Sequence, residues 1–300
     1  MRLRDRMPFH FIKLRAYWYA ISALVILPGL ISLFVQGLNL GIDFKGGSLL
    51  DLKFERPVRV QEVREVLSGF GLEGATVQRS NETDFLLRTR ELTEEESARV
   101  VAALNEKLGG VSVLRAERVG PVIGKELIRN AVLALLAASV LMLVYIAWRF
   151  EFKQGIAAII ALLHDVLVVL GLFSILRVEV DSAFVAAVLT ILGYSINDTI
   201  VIFDRIRENM LNKKKGEAIE DVINASLWQT LARSINTVLT VEFVLLALFL
   251  FGGTTIKGMV LALLIGITSG AYSSIFNASP VWYDLKRLER PGHRARPARA

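Results

Sequence analysis

The chain has 300 residues, 53% of them hydrophobic, and contains no cysteine. The absence of cysteine excludes a disulfide framework, thiolate metal ligation and cysteine nucleophiles, and the clustering of apolar residues in blocks points to a membrane protein rather than an oily soluble core. The net charge of +6 forms no single patch of the kind that binds nucleic acid; its lysines and arginines lie beside the apolar blocks, where membrane topology accounts for them.

Residues 1–15 form a basic N-terminus with Arg2, Arg4, Arg6, Lys13 and Arg15. The apolar run from Ala16 to Val35 follows it. It is longer than a usual signal-peptide core and ends without a small-x-small cleavage pattern, so it reads as a retained first span. Residues 36–129 then alternate between strand and helix patterns. Ser48–Phe54 has the period-two pattern of a half-buried strand, and Val60–Phe70 places Val60, Val63, Val66, Leu67 and Phe70 on one helical face. Ala75–Arg79 and Asp84–Thr89 are short strands. Thr93 with Glu96 makes a capping box ahead of Val100, Val101, Leu104 and Leu108. Ser112–Val119 is the last strand. This β-α-β-β-α-β order is the split βαβ pattern of a ferredoxin-like α+β domain, and it carries no catalytic cluster.

Residues 130–281 hold five more spans of about 20 residues, the length that crosses a hydrocarbon core: Ala131–Trp148, Gly155–Leu176, Ala183–Phe203, Leu231–Phe251 and Gly258–Ala278. Near residues 204–230, Ala218, Ile219, Val222, Ile223 and Leu227 recur at helical spacing. That pattern fits either a helix lying in the membrane interface or an ordinary connecting helix. The loop after the fourth span carries Arg205, Arg207, Lys213, Lys214 and Lys215, and residues 282–300 form a basic tail with Lys286, Arg287, Arg290, Arg294, Arg296 and Arg299. The opposite short loops hold only Arg177 and Lys257. By the positive-inside rule both termini are cytoplasmic and residues 36–129 lie outside.

Ionisable residues inside spans are costly and are functional candidates by default. They are His164, Asp165, Asp198, Arg233 and Glu242. At 1.5 Å per residue, Asp165 lies about 15 Å past Gly155 and Asp198 about 7.5 Å from Phe203. Asp198 follows Asn197 and comes one turn after Tyr194. Arg233, Asn236, Thr237 and Thr240 share one face of the next span. Burial favours a neutral acid and a nearby arginine favours the carboxylate, so an Asp198–Arg233 pair would make a proton relay; the alternative is that Arg233 snorkels to the interface and Asp198 only joins helices. His164 is one of three histidines, the others being His10 and His293 in the basic termini, which argues against a histidine metal site. Beside Asp165 it either extends a proton path or makes a hydrogen-bonded helix contact, and Glu242 either joins the relay or meets a partner subunit. Asn197, Asp165, His164 and Glu242 are the secondary proton-path candidates. Gly266-x-x-x-Gly270 followed by Ser274 is a small-residue packing face. Gly46-Gly47 lacks the Gly-Lys-Ser/Thr ending of a phosphate-binding loop, so no ATPase activity is indicated and any energy input would come from a proton gradient.

Three motifs carry a family resemblance. Gly41-Ile42-Asp43-Phe44-Lys45-Gly46-Gly47 follows the first span, Val119-Gly120-Pro121-Val122-Ile123-Gly124-Lys125-Glu126-Leu127 precedes the second, and the run from Leu192 to Asn209 contains Tyr194-Ser195-Ile196-Asn197-Asp198. They resemble the SecD/SecF family of protein-export membrane proteins, and the third, with the small outer domain, is similar to its SecF branch. The resemblance implies a bacterial inner-membrane subunit pairing with SecD in a twelve-span unit akin to the RND exporters. It implies partnership with the SecYEG channel, with SecA acting earlier from the cytoplasm, and with an unfolded preprotein as substrate. It also implies protons as coupling ion, no other cofactor, Asp198 as the proton-path carboxylate and Arg233 as its charged neighbour. It gives Glu242 no role. Half of an RND-type drug or lipid exporter would need larger outer domains. A non-conducting scaffold would need no titratable Asp198. An intramembrane aspartyl protease using Asp165 and Asp198 lacks its Gly-x-Gly-Asp signature.

Overall fold

The computed structural model describes residues 9–288. The basic residues expected at positions 2, 4 and 6 and at 290, 294, 296 and 299, and His293, lie outside the described residues. Six helices are long and apolar enough to cross a membrane, and the protein is a multi-pass membrane protein. Two compact units divide the chain: one runs up to Leu38, from Leu135 to Val178 and from Ala183 onward, and the other comprises Asn39–Ala134 with Glu179–Ser182.

The first unit is a helix bundle. Its helices are α1 (Arg15–Gln36), the later part of α5 (Pro121–Arg149), α6 (Phe152–Leu176), α7 (Ser182–Leu211), α8 (Ile219–Phe251), α9 (Lys257–Ser273) and α10 (Ser279–Leu288), with a π-helical turn, Ser274–Ala278, between the last two. Helix α6 is the most enclosed of the six. Glycines set its distance from α1: a Cβ on Gly29 would lie 2.7 Å from the Cα of Gly171, and one on Gly171 would lie 2.8 Å from that of Gly29. Side chains of any size at these positions would part the helices. The Gly266/Gly270 face seats α9 on α7, where a Cβ on Gly266 would meet Ile191 at 2.2 Å and one on Gly270 would meet Ser195 at 3.0 Å. Lipid offers helices no hydrophobic gain from pairing, so such close packing holds them together.

At three places the helices run further than the apolar and basic segments read from sequence. The second span continues a helix that starts ten residues earlier, at Pro121, because proline suits the first helical position and no breaker follows it. The amphipathic stretch before the fifth span is not a separate helix. It forms the first turns of the 33-residue α8, and its Ile223 and Leu227 join a core with Ile202, Phe203, Ile206 and Trp282. The tail expected from residue 282 begins as helix: Trp282 and Tyr283 are buried on α10, and Lys286 pairs with Glu151 at 3.0 Å. The N-terminal segment is likewise anchored. Phe11 and Ile12 are fully buried, and the Phe11 amide donates to Asn224 Oδ1 at 2.8 Å.

In the second unit, β2 (Gly47–Phe54), α3 (Val60–Ser68), β3 (Thr76–Arg79), β4 (Asp84–Thr89), α4 (Glu94–Leu108) and β5 (Val111–Val119) follow in that order. The sheet runs β3-β4-β2-β5, antiparallel throughout, with Leu50 opposite Leu87 and Leu52 opposite Phe85. Val63, Val66 and Leu67 of α3 and Val100, Leu104 and Leu108 of α4 share its core. The sequence gives no sign of β1 (Asn39–Leu40), the short helix α2 (Ile42–Lys45) or β6 (Glu179–Val180), which pairs in parallel with β1.

Gly171→Leu is expected to cost about 1–3 kcal/mol by overpacking against α1, read as a lower unfolding temperature in detergent. The Arg90 side chain and the Thr93 amide hold the Glu96 carboxyl below its ordinary 4.5. The stability this lends is complete above 4.5 and is lost as pH falls through the lower folded value. Glu96→Gln should flatten that acid dependence in amide-exchange protection of α4.

Candidate functional site within the helix bundle

Two carboxylates inside the bundle are covered by serine hydroxyls. Asp165, on α6, is fully buried. It accepts hydrogen bonds from Ser195 of α7, Ser269 of α9 and Ser273 of α9, each at 2.7 Å. His164 Nδ1 lies 3.0 Å from the same carboxylate, and its ring stacks on Tyr272 at 5.8 Å between centroids. Asp198, on α7, is half-buried. It accepts from Ser234 of α8 at 2.6 Å and from Ser274, the first residue of the π turn, at 2.5 Å. The spacing explains the shared supports. Ser195 and Asp198 stand three apart on α7 and so lie on one face, as do Ser269 and Ser273, four apart on α9.

The structure keeps Arg233 apart from Asp198. Its side chain is exposed and, among the described residues, makes no ion pair. One residue along a helix is a rotation of about 100°, and it is Ser234 that points inward to the carboxylate. Asn197, Asn236, Thr237 and Thr240 are exposed with Arg233, and Tyr194 donates to the Thr237 carbonyl at 2.9 Å. Glu242 is half-buried and accepts from Thr268 at 2.9 Å. From the sequence, Ser274 reads only as a small packing residue, and Ser234, Ser269 and Ser273 do not stand out. The available signal was their placement within apolar spans, at a spacing of four from Ser269 to Ser273. Among the described residues no group of three or more histidines and acids could hold a metal.

The motif residues of the second unit meet one another. Gly41 precedes α2, with Glu179 packed so close that a Cβ would lie 2.6 Å from its carboxylate. Asp43 accepts from the Ser182 amide at 2.8 Å and from the Ser182 hydroxyl, and Phe44 is buried. Gly46 and Gly47 have φ of 76° and 136°, and a Cβ on Gly47 would strike the Thr89 carbonyl at 2.5 Å, so only glycine fits there. Gly120 ends the strand side of the second motif, Pro121 opens α5, and Gly124 lies so near α2 that a Cβ would be 2.8 Å from the Phe44 carbonyl.

An apolar six-helix bundle enclosing hydroxyl-covered acids, with an α/β domain inserted after the first helix, defines a polytopic membrane protein of the transport type. Residues 100–288 match the family described as protein export membrane protein SecD/SecF, C-terminal, and residues 31–58 match the SecD/SecF GG motif. The chain belongs to the SecD/SecF family. It is 47% identical to the protein translocase subunit SecF of Thermobaculum terrenum, covering 89% of this chain and 91% of that one. It is 41% identical to the protein translocase subunit SecDF of Bacillus subtilis over 93% of this chain and 38% of the relative. A crystal structure of SecDF from Thermus thermophilus, a translocon-associated membrane protein, superposes with a TM-score of 0.87 at 37% identity. That match covers 96% of this chain but only 40% of the solved one, so the chain corresponds to less than half of the fused proteins.

Removing one donor from a buried acceptor costs about 1–3 kcal/mol. Ser273→Ala and Ser195→Ala should each lower thermal stability in detergent by that order, whereas Thr237→Ala on the exposed face should change it little.

Proposed function

We propose that this chain is the SecF-type half of a proton-coupled unit that, with a SecD-type partner, assists the late, ATP-independent stage of protein translocation through SecYEG. The observation that carries this reading is the exposed row of Arg233, Asn236, Thr237 and Thr240 on α8, with Asn197 on α7, on membrane-spanning helices beside Asp198. A polar row facing lipid is costly, so another protein surface covers it. A SecD-type subunit is the natural cover, because the SecDF relatives are more than twice the length matched here.

Asp198 then carries the proton. As a carboxylate it accepts from Ser234 and Ser274. Once protonated it donates one bond, and a serine hydroxyl can turn from donor to acceptor because it serves as both. The number of hydrogen bonds is kept while the charge between α7, α8 and the π turn changes. Arg233, on the covered face, senses that charge from the partner's side. The domain after α1 has the strand order of a ferredoxin-like fold, and lysine and arginine placement supports the reading that it lies outside, with both termini cytoplasmic. The unit works there on an unfolded preprotein that SecA has driven into the channel. It needs no nucleotide, nucleic acid or metal, only protons and the surrounding lipid.

The test is preprotein completion in inverted vesicles containing SecD, with and without a proton gradient. Asp198→Asn keeps size and hydrogen bonding but carries no titrating charge. It should assemble with SecD and lose the whole gradient-stimulated increment. Gradient stimulation equal to wild type would make the chain a scaffold.

A further inference from the structure

The proton path through Asp198 makes no use of the most enclosed acid among the described residues. Asp165 is 0% exposed, and its three hydroxyl donors are neutral. His164 is its only ion-pair partner among the described residues. The surrounding titratable groups are Tyr19 on α1, Tyr272 on α9 and Asp198 on α7, while Glu242 on α8 is tied to Thr268. Asp284, on α10, is neutralised by Arg15 at 3.0 Å. No lysine or arginine therefore fixes Asp165 as an anion. An imidazole and a carboxylate, 3.0 Å apart, are the two groups of the site that can carry a proton.

His164 reaches the surface of the bundle: it lines an open, mainly apolar groove of about 510 Å³ between α1, α6 and α9, with Ser22, Thr268 and Tyr272 among Ile21, Val25 and Val168. It also lines a second cavity, of about 330 Å³, with Tyr19 and Asn277. Both lie on the side of α6 that packs on α1, whereas the exposed polar row beside Asp198 belongs to α7 and α8. The two acids are nevertheless joined mechanically. Ser273 holds Asp165 and the next residue, Ser274, holds Asp198, at the point where α9 turns into the π segment. Ser195 and Asp198 repeat that link on α7. π turns within helices concentrate at functional positions.

We propose that Asp165 and His164 form a second proton-holding site, loaded through His164 and coupled to Asp198 through the Ser273–Ser274 step. A solvent proton adds to His164 Nε2 as the Nδ1 proton passes to the Asp165 carboxylate. One proton enters, the acid becomes neutral, and the imidazole is left as its other neutral tautomer. The proton arrives on Oδ1 and donates back to Nδ1, which has become an acceptor, while the negative charge that Ser195 and Ser273 meet at Oδ2 is lost; Ser273 is the one whose neighbour holds Asp198. This inference rests on the proton-coupled reading above but is tested separately from it.

The experiment is infrared difference spectroscopy of the SecD-containing complex in lipid, titrated with pH and read at the C=O stretch of protonated carboxyls. Wild type should show a band that Asp165→Asn removes and Asp198→Asn retains with a displaced midpoint. Should Asp165→Asn fail to assemble, His164→Gln leaves the acid in place and should move the midpoint of the same band by about one pH unit. A wild-type spectrum whose protonated-carboxyl bands all survive Asp165→Asn, or a band indifferent to His164→Gln, overturns the proposal. Loss of gradient-stimulated export from wild type, with the Asp165 band intact, would instead overturn the transport reading and leave the site standing.

Discussion

A carboxylate inside an apolar bundle must be given hydrogen-bond donors by the helices around it, and this requirement organises the membrane part of the chain. Serine reaches only a short way from its backbone, so its hydroxyl meets a carboxylate on another helix only when the two helices lie very close. The glycines supply that closeness. Gly270 lets α9 press on Ser195, bringing the α7 and α9 serines together around Asp165. Gly29 and Gly171 draw α1 onto another side of α6. Polar satisfaction and small-residue packing are thus one feature, because enlarging a glycine would withdraw a donor from an acid.

The two acids differ in how firmly they are held. Asp165 has three hydroxyls and an imidazole and no exposure, while Asp198 has two hydroxyls and an open flank. A group that exchanges its proton directly with a partner belongs at the flank, and one sealed inside can exchange only through a neighbour, as Asp165 does through His164. Three hydroxyls can follow a change of charge without breaking contact, which a lysine or arginine clamp could not do.

Hydropathy and capping made much of the architecture legible. The six spans follow from apolar run length, and α4 starts where the Thr93–Glu96 box places it. Rotational register did not follow. Arg233 and Ser234 are equally plausible partners for Asp198 by spacing, and only packing decides which faces inward. The serine donors were equally silent, since a lone serine in an apolar run looks like filler until its helix is oriented. Gly29 and Gly171 are 142 residues apart, and nothing local pairs them. The β1–β6 ladder fails for the same reason: two residues on each side carry no periodic pattern.

That small ladder has a consequence for how the protein is made. Asn39 pairs with Glu179 and Leu40 with Val180, so strand β1 leaves the ribosome 140 residues before the partner it needs. At about 5–20 residues per second, this is a wait of roughly 7–28 s, during which α5 and α6 must be threaded into the bilayer. The β2–β5 sheet pairs only within its own stretch and has no such delay. Biogenesis is therefore staged: the sheet domain can mature early, while the junction holding Gly41 and Asp43 closes only after the third span is in place.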